Sequence, residues 1–130
     1  VIVVDSSALI AILLGESSAG AVSEALETST ATAIPAPTLV ETLIVAEARL
    51  GAQGALNVER IMRIADIETV PFDAADAQTA VEAWRRYGRG RHHAGLNLGD
   101  CYSYAWATRR NLPLLFVGED FARTDVLIAL

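Results

Sequence analysis

Four acidic residues, Asp5, Glu41, Asp100 and Asp120, each stand close to the end of an apolar run, where a chain leaves a strand or opens a helix. Carboxylates in such places have ordinary duties as N-caps, dipole partners and turn formers. Glu41 fits those duties least, because its neighbours Leu39, Val40, Leu43 and Ile44 are apolar and a carboxylate beside a core is seldom left unpaired. Its expected partners are the other acids. Two carboxylates about 4 Å apart repel by roughly 1 kcal/mol in water and by about 4 kcal/mol at an effective dielectric of 20. Protonation relieves one or two members of such a group, whereas a hard divalent cation relieves all four, and an oxygen-only donor set selects Mg²⁺, with Mn²⁺ as a substitute. Mg²⁺ held by a few carboxylates keeps several waters and takes phosphate oxygens, so the expected chemistry is attack on a phosphodiester by a water the ion activates.

The elements that must position these acids follow from hydrophobic periodicity. Strand-like runs cover Val1 to Val4, Thr30 to Ile34, Ile67 to Val70, Leu114 to Val117 and, more weakly, Val126 to Leu130. Helical stretches lie between them, at Ser7 to Leu14, Ala19 to Thr28, Thr38 to Leu50, Leu56 to Ala65, Ala74 to Tyr87 and Asp100 to Asn111. Strands alternating with helices predict a parallel sheet of four or five strands between helical layers, an α/β/α sandwich formed by residues 1–130 as one domain. Sites in open parallel sheets gather beyond the carboxyl ends of the strands. Asp5 ends the first strand, Glu41 follows the second behind Pro35 and Pro37, and Asp120 follows the strand PLLFV. Asp100 opens the helix DCYSYAWATRR, and the stretch after Gly88 is long enough, at about 3.3 Å per residue, to climb back beside the preceding helix. All four acids are thus expected on one edge.

Composition narrows the alternatives. The chain has 130 residues, 10 basic and 16 acidic, a net charge of −6, and no lysine. Without lysine a phosphate-binding loop ending in GK is excluded, as is a receiver domain that works with a lysine. GxSxG, HExxH, CxxC and GxGxxG motifs are also missing, which removes support for nucleophile-elbow hydrolases, zincins, zinc ribbons and dinucleotide folds. A phosphatase with Asp5 as nucleophile is disfavoured because Ser7, not an acid, stands two positions on. The lone Cys101 suits a reducing compartment. No run is long enough to span a membrane and no signal peptide opens the chain, so a cytoplasmic location is expected. The chain opens on Val1 rather than Met, so a natural start upstream is expected.

Taken together, VIVVDSSALIAILLGE, APTLVETLIV, LNLGDCYSYAWATRRNLPLLFVGEDF and the closing TDV resemble the PIN-domain ribonucleases, specifically the VapC toxins of type II toxin–antitoxin pairs, over essentially the whole chain. The resemblance implies a PIN-like fold and an Mg²⁺-dependent endoribonuclease acting as a growth-arresting toxin. It carries a four-acid site onto Asp5, Glu41, Asp100 and Asp120, with Asp5 and Asp100 holding the ion and the other two completing the pocket. Asp125 competes with Asp120 for the fourth place, and Glu119 is a third option. Hydroxyls at Ser6 and Ser7 are implied to contact the metal shell or the scissile phosphate. The implied partners are RNA, a VapB-type antitoxin, a second copy of the chain, and operator DNA only through the antitoxin. The rival reading is a catalytically silent PIN-like module that binds RNA or serves as a corepressor with its antitoxin.

Outside the acids, the stretch Arg85 to His93 (RRYGRGRHH) holds four of the ten arginines and both histidines without an acid. Arg85, Arg86, Arg89 and Arg91 are candidates for an RNA-backbone clamp, with Tyr87 as a stacking face; a solvated helix end complementing the dipole is the alternative. His92 and His93 lack a third ligand. Asn97 is placed to orient Asp100 or to form a turn. Trp84 and Trp106 are expected in the core or an interface, and Cys101 is expected to act as a small hydrophobe.

Overall fold

Val3 and Val4 are adjacent, face opposite sides of a strand and are both fully buried, so the first strand must run between two covered faces. The computed structural model, which describes all 130 residues, has this arrangement. Strands β1 (Ile2–Val4), β2 (Thr32–Pro35), β3 (Ile67–Val70) and β4 (Leu114–Leu115) form one sheet in the order β3-β2-β1-β4. All neighbours are parallel, with Val3 opposite both Ala33 and Leu114. The segment expected as a fifth strand contributes only one parallel bridge, Leu114 to Ile128.

Helices α1 (Ser6–Leu13), α2 (Ala19–Thr28), α3 (Ala36–Leu50), α4 (Ala52–Ile64), α5 (Ala74–Tyr87) and α6 (Leu98–Arg109) cover the sheet. Alternate residues of each strand feed two apolar layers. Val4, Ile34, Ile67 and Leu115 pack with Leu9, Val22, Leu26 and Val58 from α1, α2 and α4. Val3, Ala33, Val70 and Leu114 pack with residues of α5 and α6, among them Ala83, Tyr87, Tyr104 and Trp106. No helix is long and apolar enough to cross a membrane.

Several boundaries differ from the sequence reading for local reasons. α3 starts two residues early because Pro35 is its N-cap and Pro37 lies in its first turn, where a missing N–H costs nothing. α4 begins at Ala52, not Leu56, because Gly51 turns the chain at φ +73° and Gly54 permits a close helix crossing. A Cβ on Gly54 would stand 2.3 Å from the Ala46 carbonyl oxygen. Trp106 is buried, but Trp84 is 46% exposed.

The stretch after Gly88 does not climb along α5. The Leu96 N–H donates to Tyr87 O at 2.9 Å and the Arg89 N–H to Leu96 O at 3.0 Å, so the loop closes on itself and α5 and α6 form an antiparallel pair. The far end of that pair is fastened by Asp76, which is fully buried. Asp76 completes a capping box with Asp73 and accepts from Arg109 at 2.6 Å and Arg110 at 2.8 Å. Burial acts to raise its pKa, but hydrogen bonds from Arg110, the Asp73 backbone and Arg109 outweigh it and hold the carboxyl far below the usual range.

A group depressed in this way stabilises the fold above the ordinary carboxylate pKa and loses that contribution as pH falls. Asp76→Asn is expected to cost about 2 kcal/mol in urea unfolding at pH 7. The deficit should narrow below about pH 4, where the unfolded chain's carboxyl takes up a proton that the folded, arginine-bound one still refuses; a pH-independent deficit would mean the charge is not its source.

Candidate active site

The strand order reverses between β1 and β4, the point at which an open parallel sheet leaves a crevice at its carboxyl edge. Asp5 leaves β1 there as the N-cap of α1, only 2% exposed. Its Oδ2 accepts from Ser7 N at 3.0 Å and Ser7 Oγ at 2.6 Å, and its Oδ1 accepts from Ser103 Oγ on α6. Ser7 Oγ in turn accepts the Val117 N–H beyond β4 at 3.0 Å, which ties the two sides of the crevice together.

Glu41 sits in the second turn of α3, half-buried, and accepts from Ser6 Oγ at 2.9 Å. Of the apolar neighbours only Leu39 and Leu43 pack against the core. Thr38, Thr42 and Ala46 form the buried stripe of α3, whereas Val40 and Ile44 are 55% and 63% exposed. Its carboxylate lies instead against Gly99, where a Cβ would come within 2.0 Å of Oε2. Glycine there makes room for the acid.

Asp100 does not open α6 but occupies its third position. Asn97 is the N-cap, and the two exchange hydrogen bonds with each other's backbone N–H at 2.9 and 3.0 Å, a capping box. Burial pushes the Asp100 carboxyl up to about 7; the Asn97 N–H opposes this, while the charges of Asp5, Asp120 and Glu41 add to it. Burial also raises the Glu41 pKa, opposed by the Ser6 hydroxyl and reinforced by Asp5. The four acids are thus one electrostatic group.

None of the four forms an ion pair: the arginine–carboxylate bridges involve only Asp73, Asp76 and Asp125. An oxygen-only donor set without a cationic partner fits a hard divalent ion. No three His, Cys, Asp or Glu side chains are grouped so as to hold an ion among them, so an ion here would rest on one or two carboxylates and water.

Of the other sequence candidates, Asp125 is engaged elsewhere, accepting from Tyr104 Oη and bridging to Arg86 at 3.2 Å. Glu119 is exposed and lines a shallow groove with Phe116 and Ile128. The Ser6 and Ser7 hydroxyls donate to Glu41 and Asp5, so their protons orient acids. The closed loop holds the basic stretch between the end of α5 and the start of α6. Arg85 and Arg89 are exposed and free of ion pairs, Arg86 is held by Asp125, and Arg91 lies 4.6 Å over the Trp84 ring and donates to Arg85 O. His92 accepts the Ala94 N–H and stacks on His93. Cys101 is buried, its thiol pushed up to about 11 by burial and by the Asp100 charge. Gly99, Ser103 and Thr38 were not singled out from sequence; the only signal for Ser103 is its spacing of three from Asp100 on one helix.

Residues 2–127 match the family model of the PIN domain. The ribonuclease VapC of Mycolicibacterium smegmatis is 44% identical over 124 residues, covering 95% of this chain and 96% of that protein. The chain belongs to the VapC branch of the PIN-domain family. The fold agrees with solved PIN-domain VapC structures. VapC20 of Mycobacterium tuberculosis, described as a sarcin-ricin loop cleaving toxin, superposes with a TM-score of 0.80 at 18% identity over 98% of this chain and 97% of that one. A toxin–antitoxin complex from Klebsiella pneumoniae gives 0.71 at 21% identity, over 98% and 96%. PIN-domain nucleases as a family use divalent metal.

A carboxyl raised in the folded state destabilises the fold above its unfolded pKa, so metal-free protein should lose stability as pH rises from about 4 through 7. Thermal unfolding in chelator is expected to show this decline. Asp100→Asn should flatten it, and Mg²⁺ should restore the wild type most strongly above pH 7; a decline unchanged in the variant would place its source elsewhere.

Proposed function

We propose that this PIN domain is an Mg²⁺-dependent endoribonuclease and the toxic half of a type II toxin–antitoxin pair. The observation that carries the proposal is the set of four coupled acids at the sheet's switch point, none neutralised by an arginine, in a chain 44% identical to a ribonuclease VapC. Asp5 and Asp100 hold the ion, and Glu41 and Asp120 complete the pocket. Mn²⁺ is the expected substitute. When bound, the ion supplies positive charge to the developing phosphorane and lowers the pKa of an attacking water. Glu41 Oε2, which Ser6 leaves free, is available to take that water's proton, and a raised pKa suits a base working near neutrality.

RNA approaches along the loop after α5, where Arg85 and Arg89 present unpaired guanidinium groups and Arg86 and Arg91 flank them. The 130 residues act as one domain in the cytoplasm. The antitoxin is a VapB-type protein, in keeping with the toxin–antitoxin complex among the structural neighbours; it covers the acids, and operator DNA is reached only through it. A second copy docks on the apolar face of α3, α5 and α6, where Val40, Ile44, Leu98 and Trp84 are exposed beside a cavity of about 470 Å³ lined only by apolar side chains.

Purified, antitoxin-free protein should cut a mixed RNA pool in Mg²⁺ and not in chelator. Asp100→Asn should abolish cutting, and Gly99→Ala, which displaces the Glu41 carboxylate, should reduce it at least about tenfold. Equal traces in wild type and Asp100→Asn would favour a silent binding module. Light scattering should give a dimer that Ile44→Glu converts to monomer; a monomeric wild type removes the second copy.

A further inference from the structure

Three helix hydroxyls in this chain send their protons to different places. Thr42 Oγ1 on α3 donates to Thr38 O at 2.7 Å, and Thr108 Oγ1 on α6 donates to Tyr104 O at 2.8 Å. Both return the proton to the carbonyl one turn back, as helix serines and threonines usually do. Ser103, fully buried on α6, instead donates across the sheet edge to Asp5 Oδ1, 98 residues away in sequence. A hydroxyl has one proton, and a carboxylate only accepts. The 3.4 Å contact between Thr38 Oγ1 and Ser103 Oγ is therefore a hydrogen bond only with Thr38 as donor. The result is a directed chain from Thr38 on α3 through Ser103 on α6 to Asp5 at the end of β1, in which every side chain is buried.

The chain of donors has a consequence for what Asp5 can bind. Each carboxylate oxygen offers two lone-pair positions. Both positions on Oδ2 are taken, by Ser7 N and Ser7 Oγ, whereas Oδ1 accepts only Ser103. One acceptor position is left, on the oxygen whose direction Ser103 sets.

We propose that Ser103 is a positioning residue for the metal, holding Asp5 so that it binds a divalent cation through Oδ1 alone, with Thr38 setting the direction of the Ser103 proton. The proposal rests on the metal-nuclease reading above and adds to it a residue that does not touch the ion. Partners of this kind fix ligand orientation, and their loss typically weakens metal binding about 10- to 100-fold.

The test is Mn²⁺ binding to the purified full chain, followed by the paramagnetic resonance of free ion and by calorimetry, without RNA. Ser103→Ala should weaken Mn²⁺ binding about tenfold. Ser103→Cys, nearly isosteric but a weak donor, should do the same. Thr42→Val removes a buried hydroxyl that serves only its own helix and should leave the affinity unchanged, whatever it does to the melting temperature. Wild-type affinity in both Ser103 variants, with binding lost in Asp5→Asn, would overturn the role of Ser103 and leave the metal site standing. Absence of Mn²⁺ binding in the wild type would overturn the metal reading and this role with it.

Discussion

Repulsion among carboxylates at the carboxyl edge of β1 and β4 is the constraint around which the rest of the molecule is arranged. Asp5, Glu41 and Asp100 are held by neutral donors, namely Ser7, Ser103, Ser6 and the Asn97 backbone N–H. Neutral donors orient a charge without cancelling it. Asp76 is the contrast within the same chain: it too is an aspartate in a capping box, yet two arginines close on it and its pKa falls, whereas that of Asp100 rises. Two carboxylates in the same helical motif thus serve opposite ends. One fastens α5 to α6; the other stores unfavourable charge that a cation can relieve, the combination of burial and like charge that marks functional sites.

An uncompensated acidic group beside an arginine-rich loop would collapse onto it if the arginines were free to reach. Several are not. Arg86 is bridged by Asp125, Arg91 is packed on Trp84 and bonded to a backbone carbonyl, and Arg123 donates to His93 O. Asp125 occupies the Arg86 guanidinium and the Tyr104 hydroxyl. The closed loop between α5 and α6 holds the basic residues at the end of α5, and none of them pairs with the four acids.

Much of this was legible in sequence because it is local. A strand ending in Asp5, a proline-introduced helix carrying Glu41 and a hydrophobic run before Asp120 are patterns within about ten residues, and the sheet order makes one edge of them. The Asn97-x-x-Asp100 spacing is itself a helix-start signature, although it shifts the start of α6 to Leu98 and Asp100 to its third position. What was not legible depends on contacts between distant segments. The close crossing at Gly54 and the antiparallel return of α5 are set by tertiary packing, so α4 starts earlier than its apolar pattern and the loop after Gly88 is shorter in reach than its length allows. The engagement of Asp125 by Tyr104 and Arg86 is likewise something only the fold brings about.

The restraints on the four acids are unequal. Asp5 is held by three hydrogen bonds from two segments, Asp100 by a reciprocal capping box, and Glu41 by one hydroxyl and the space left by Gly99. Asp120 has no side-chain hydrogen bond and leads into a single turn of 3₁₀ helix after a strand of two residues. Preorganisation is thus concentrated on the acid at the centre of the sheet and declines toward its edge. A site built this way has a fixed point from which an ion can be placed and a less restrained acid beside it, which is the division expected when direct ligation is shared with water rather than supplied by a rigid protein cage.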